Sequence, residues 1–161
     1  MLCGQGNTTR AVPIHDLVKA MPHSLVTVLP AVHPLSGCDT TSKVSTKHSA
    51  FKAAEQGGKY LLNDFGILEL SRDMEIKAEQ FLVNTMGGVK VDSLDKLRYH
   101  QYHHKGSKNN FEKLAPTSSS IQLHIKRAYL QSYQWINATN AIMVPLNPTD
   151  FGYAMHCMMT T

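Results

Sequence analysis

Apolar residues return at three- and four-residue intervals in several separate stretches, each bounded by proline or glycine, and this pattern predicts a mainly α fold. Pro13 opens the first, with Ile14, Leu17, Val18 and Met21 at helical spacing and Pro22 closing it. A second runs from about Ser24 to Leu35, kinked at Pro30. There Pro34 pushes its preceding residue away from helical geometry and Gly37 marks the end. Lys47 to Gln56 reads as a short helix with Phe51, Ala53 and Ala54 inward, stopped by Gly57-Gly58, and Tyr60 to Phe65 as the next pair of helical turns. The clearest amphipathic stripe lies in Asp73 to Thr85, where Met74, Lys77, Ala78, Phe81 and Leu82 follow an acidic start and precede Gly87-Gly88. Ser93 to His104 repeats the pattern with Leu94, Leu97 and either Tyr99 or Gln101 at the buried edge, and a polar linker follows from Lys105 to Asn110. A long final helix is expected from Thr117 to Ala138. The tail beyond it, with Pro145, Pro148, Phe151, Tyr153 and Met155, is apolar without a period. Before Val12, Gly4, Gly6 and Asn7-Thr8-Thr9 suit a polar loop and at most a short strand pair.

Composition narrows the class. At 161 residues and 42% hydrophobic content the chain is expected to form one domain, 1–161, with a core of its own. No stretch reaches the roughly 18 apolar residues of a membrane span, and the first ten residues lack the basic-then-apolar order of a signal peptide. The expectation is an intracellular protein, nuclear or cytoplasmic, with no membrane partner. Cys3, Cys38 and Cys157 are odd in number and far apart, so reduced thiols are expected, and the sequons at Asn7 and Asn137 have no secretory context to act in.

The net charge of +4 suits an anionic partner without requiring one. Its placement says more. Between Leu94 and Arg127 stand Lys96, Arg98, Lys105, Lys108, Lys113, Lys126 and Arg127 against only Asp95 and Glu112, with His100, His103, His104 and His124 able to add charge below neutrality. This defines a basic helical region over 93–138.

The run His33-Pro34-Leu35-Ser36-Gly37-Cys38-Asp39-Thr40-Thr41-Ser42 ends an apolar segment with a glycine turn and one carboxylate. On the residues alone, Asp39 is a helix cap more readily than a metal ligand, and both readings stand. His33 reads as a core histidine anchoring the turn, and Cys38 as a small buried thiol, since no motif places a histidine or asparagine beside it. His100, His103 and His104 share a helical face that could hold a transition metal, although a solvated helix end is the more ordinary reading. Tyr99, Tyr102, Tyr129, Tyr133 and Trp135 could stack on bases, but such spacing more often marks a core.

Pro30-Ala31-Val32-His33-Pro34-Leu35-Ser36-Gly37-Cys38-Asp39-Thr40-Thr41-Ser42 resembles the signature of a mobile-element-associated eukaryotic family in which a variant of His-Ala-Leu-Thr-Gly-Cys-Asp-Thr recurs. That family is similar to PIN-like nucleases of the flap endonuclease and XPG type. Met1 to Arg10 with Pro13-Ile14-His15 resembles the strand and loop before the signature. Leu114 to Ser120, His124-Ile125 and Arg127 to Trp135 resemble its C-terminal helical segment.

The resemblance implies that Asp39 is the last acidic ligand of a metal site taking Mg²⁺, which needs further carboxylates. Those belong to an upstream parallel-sheet core that this sequence does not include. It also implies a helix-hairpin-helix after Asp39, within 30–66, that grips DNA. Here the hairpin is degenerate: Lys43-Val44-Ser45-Thr46-Lys47-His48 keeps lysines and hydroxyls but lacks the glycines that let a backbone approach phosphate. The expected role is therefore nucleic-acid binding, to DNA or RNA, through Lys43, Lys47, Lys126 and Arg127. The chain is expected to be the C-terminal part of a PIN-like, flap-nuclease-related protein, with no catalytic residue and no nuclease activity alone. The alternative is a helical protein-interaction module or an inactive mobile-element-derived remnant.

Overall fold

The computed structural model describes residues 2–3, 10–88, 90–104 and 114–154, and within these the chain is mainly helical. A two-residue antiparallel pair joins Leu2–Cys3 (β1) to Arg10–Ala11 (β2), with Leu2 opposite Ala11. Seven α-helices follow among the described residues: α1 Ile14–Ala20, α2 His23–Val26, α3 Leu29–Ser36, α4 Lys47–Glu55, α5 Arg72–Thr85, α6 Leu94–His104 and α7 Ser118–Ile136. Short 3-10 turns cover Gly58–Leu61 and Pro148–Phe151.

Hydrophobic burial around α3, α5 and α7 makes the core. Leu35, Ala54, Leu62, Ala78, Phe81, Leu82, Leu94, Ile125 and Ala128 are all closed off from solvent in one continuous cluster. Helix α7 lies against α3 and α5, and α4 bridges α3 and α5. Hydroxyl side chains start three helices, each accepting a backbone N–H from three residues on: Thr46 from Ser49, Ser71 from Met74, and Thr117 from Ser120. Glu79 of α5 ties two further starts together, because one carboxylate oxygen accepts the Leu94 amide at 3.0 Å and the Ser118 hydroxyl at 2.5 Å.

Several elements differ from the sequence pattern for identifiable reasons. The stretch expected as one kinked helix from Ser24 to Leu35 breaks into α2 and α3 at Thr27-Val28, ahead of Pro30. Pro30 then occupies the first turn of α3, where a missing N–H is harmless. Pro34 does not end the helix but lies inside it. Its missing N–H would have served the Pro30 carbonyl, and the Ser132 hydroxyl of α7 lies 3.0 Å from that oxygen, its one proton shared between it and Ala128 O at 2.7 Å. The expected helical turns from Tyr60 to Phe65 are a 3-10 turn over Gly58–Leu61 followed by hydrogen-bonded turns, with Tyr60 exposed. Of the two candidates for the inner edge of α6, Gln101 faces inward and accepts the Ala115 amide, while Tyr99 is exposed. The linker at Lys105–Asn110 lies outside the described residues. In the tail, Leu146 and Phe151 pack on the core, with Phe151 stacked on Tyr129 at 5.5 Å.

Candidate functional site

A helix leaves its last four carbonyls without intrahelical partners. At the end of α3 each of the four finds a partner, one from Thr41 of the signature and the others from residues beyond it. Lys47 donates to His33 O at 2.7 Å, Thr41 Oγ1 to Pro34 O at 2.7 Å, His124 Nε2 to Leu35 O at 2.9 Å, and the Val44 and Ser45 amides to Ser36 O. Lys47 Nζ also donates to Ser36 Oγ and Gly37 O, so its three protons each have an acceptor. A cation at this helix end complements the partial negative charge there.

Gly37 makes the turn possible. Its φ of 113° is left-handed, and a Cβ there would stand 2.5 Å from Lys43 Cα and 2.8 Å from Ser42 O. The chain therefore crosses itself at that point with no room for a side chain. Beyond it, Cys38 and Thr41 pair as an isolated bridge, and the Cys38 amide also donates to Thr41 Oγ1 at 3.0 Å. Two contacts from the C-terminal half hold the outer edge: Thr40 donates to Gln131 of α7, and Tyr153 donates to Thr40 O.

This geometry revises several residue readings. Asp39 is exposed on the turn, and the helix that follows is capped by Thr46, so Asp39 does not cap it. Its charge is felt by His33 and by Lys47. Among the described residues no group of three or more His, Cys, Asp or Glu side chains could hold a metal ion. A single exposed carboxylate near an ammonium does not fit Mg²⁺ by itself, since the ion needs further oxygen ligands. His33 is exposed and lies against the Trp135 ring at 5.4 Å, not in the core. Burial and the Lys47 ammonium push its imidazole below the ordinary value, against Asp39, which raises it. Burial likewise lowers the Lys47 ammonium, opposed by Cys38 and Asp39.

Cys38 is half-buried, more open than the expected buried thiol. Burial raises its thiol, while hydrogen bonds from Thr40 and Thr41 act to lower it below the usual value. Both hydroxyl hydrogens are already committed, however, Thr40 to Gln131 Oε1 and Thr41 to Pro34 O. The backbone amides of Thr40 and Thr41 act on the sulfur as well, and the thiol stays below its usual value.

The four basic residues expected to meet nucleic acid separate. Lys47 is occupied as the cap of α3. Lys126 lines a recess with Glu69, Glu75 and Asp150, an acidic setting. Lys43 and Arg127 come together with Ser42, Gln101, Ser120 and His124 around an open cleft of about 730 Å³ between the loop after Gly37, α7 and the segment 114–116. Arg127 uses Nε and Nη2 on Gly152 O, at 3.0 and 2.6 Å, and stacks its guanidinium on Tyr153. Its Nη1 has no hydrogen-bond partner among the described residues.

His124 is the cleft residue that sequence reasoning misread as a reserve of charge. It is only 6% exposed, and burial, reinforced by Arg127, holds its imidazole below the ordinary value against the bond to Leu35 O. The signal was present: Ile121, His124, Ile125 and Ala128 mark one inward face of α7. On the exposed side of α6, His100 and His103 both lie against the Tyr99 ring, His103 at 4.3 Å.

Comparison with protein-family models, curated proteins and solved structures finds no match. No helix among the described residues is long and apolar enough to cross a membrane.

Proposed function

We propose that this helical domain binds nucleic acid through side chains around the Lys43–Arg127 cleft, as the C-terminal part of a PIN-like, flap-nuclease-related protein. The observation that carries the reading is the convergence of Lys43, from the loop after the signature, with Arg127 of α7 on one open cleft that also presents Ser42, Ser120 and Gln101. Cations and hydroxyls of this kind suit phosphate oxygens. Backbone contact is a poor alternative at this loop, because the Cys38, Thr41, Val44 and Ser45 amides turn inward to carbonyls of their own segment. Chemistry at Asp39 would need carboxylates from another polypeptide segment, so binding is the role assigned to these residues.

The test is fluorescence anisotropy of a labelled single-stranded oligonucleotide across a salt series. Lys43→Ala should weaken binding and reduce the slope of log affinity against log salt by about one. Lys126→Ala should change neither much. No binding of the intact chain at low salt would remove the reading. One observation favours the alternative of a protein-interaction module: α1 buries none of its side chains and leaves Ile14, Leu17 and Val18 exposed. Its test is whether a partner protein shifts those three residues while the cleft stays unchanged.

A further inference from the structure

One face of α7 carries a surface that the nucleic-acid reading leaves unused. Tyr129 and Tyr133 stand one helical turn apart, and each hydroxyl donates to a carbonyl of a neighbouring segment, Tyr129 to Leu68 O at 2.9 Å and Tyr133 to Val144 O at 3.0 Å. Two irregular stretches, one just before α5 and one after α7, are thereby held beside each other. A recess of about 380 Å³ lies between them, lined by Glu69 and Leu70 from the first and by Leu146 and Asn147 from the second.

The residues that lead into each lining are apolar and open to solvent. Ile67 and Leu68 are 56% and 55% exposed, and Ile142 and Val144 are 88% and 68% exposed. Single exposed aliphatic residues are ordinary, but four of them on two segments pinned side by side mark a surface that a partner covers.

The recess supplies the character of that partner. Glu69, Glu75 and Asp150 line it with Lys126 as the one cation. Arg72 engages Glu75 at 2.8 Å, whereas Glu69 and Asp150 form no ion pair among the described residues. A chain of net charge +4 thus sets free carboxylates beside its exposed aliphatic residues. These charges disfavour other occupants. Phosphates of nucleic acid or of anionic lipid would meet carboxylates, and a second copy packed through the same patch across a twofold axis would bring two acidic recesses together.

We infer that this face docks a basic, aliphatic peptide segment of another protein, its apolar side chains on Ile67, Leu68, Ile142 and Val144 and a lysine or arginine in the recess facing Glu69 and Asp150. The inference does not rest on nucleic-acid binding, because the surface shares no residue with the Lys43–Arg127 cleft.

The experiment pans a displayed library of random decapeptides on the intact chain, then measures the affinity of the best enriched peptide, made synthetically and labelled, by fluorescence anisotropy. Three variants are compared: Ile142→Ser with Val144→Ser, Glu69→Gln with Asp150→Asn, and Lys43→Ala. All five positions are exposed, so circular dichroism and urea midpoints should match the wild type. Enriched peptides should join a lysine or arginine to a run of aliphatic residues. Affinity should fall by about tenfold or more in each of the first two variants and stay within about twofold for Lys43→Ala. No enrichment, enrichment of acidic peptides, or an affinity unchanged in either surface variant would overturn the inference. Self-association of the chain in sedimentation, abolished by Ile142→Ser with Val144→Ser, would put a second copy on the patch and overturn it too.

Discussion

Replacing Gly37 by alanine tests whether the signature turn depends on the chain crossing itself. Two costs act on Gly37→Ala. A left-handed φ, here 113°, costs an L-residue about 1–2 kcal/mol, offset by roughly 0.4–1 kcal/mol because alanine restricts the unfolded chain. The added Cβ also meets backbone, 2.5 Å from Lys43 Cα and 2.8 Å from Ser42 O, and backbone cannot swing aside as a side-chain tip can. Overpacking of this kind costs about 1–3 kcal/mol, for a total near 2–4 kcal/mol. Gly57 supplies a comparison, since its φ is 106° in the αL region, with ψ −11° against 134° at Gly37, and an added Cβ there meets nothing within 4 Å. Gly57→Ala should cost at most about 1 kcal/mol. With a urea slope of about 2 kcal/mol per molar, the unfolding midpoint should fall by roughly 1–2 M for the first variant and by no more than about 0.5 M for the second. Circular dichroism during urea titration measures both. Equal shifts in the two variants, or none at Gly37, would refute the crossing as the reason for glycine.

Thr41→Val should cost about 1–2 kcal/mol in the same titration, since it keeps the shape but removes a buried hydrogen bond to Pro34 O and one from the Cys38 amide, while the Gly37 amide and Thr41 O still serve those two groups. Lys47→Met should lower stability by about 1–2 kcal/mol through loss of the α3 cap, while oligonucleotide affinity stays within twofold of wild type. Because His124 is lowered in the folded state, protonation favours the unfolded chain. Its contribution is complete above the unfolded value of about 6.5 and is lost as pH falls from there through the folded value. Urea midpoints should therefore drop between about pH 7 and 5, and a flat profile over that window would contradict the assignment of a neutral buried imidazole.

Helix positions were readable in the chain because proline, glycine and capping hydroxyls punctuate it. Ser71 and Thr117 cap α5 and α7 where the periodic stripes begin, and Gly57 and Gly87 follow α4 and α5 closely. What could not be read depends on partners distant in sequence. Pro34 sits inside α3 where the Ser132 hydroxyl comes within hydrogen-bond reach of the orphaned Pro30 carbonyl as well as of Ala128 O, a contact no local pattern encodes. Lys47 reads in the sequence as a phosphate-binding lysine at the start of α4, and only the fold brings the end of α3 beneath it. Lys126 and Arg127 are neighbours in sequence, yet successive helical residues point about 100° apart, and this sends one toward Glu69 and Asp150 and the other to the cleft. Of the basic residues expected at the site, Lys43 and Arg127 share it, and the fold adds His124 and Gln101.

The partners that close α3 divide by their distance along the chain. Thr41 lies 7 positions after Pro34 and Lys47 lies 14 after His33, but His124 lies 89 positions after Leu35, Gln131 lies 91 after Thr40, and Ser132 lies 102 after Pro30. During synthesis, then, the signature helix emerges long before the strand of side chains that completes it, and must wait with a carbonyl at each end of its proline turn exposed to water. Nascent chains stalled before α7 should hold the signature open and accessible to proteases, and release of α7 should close it in one late step.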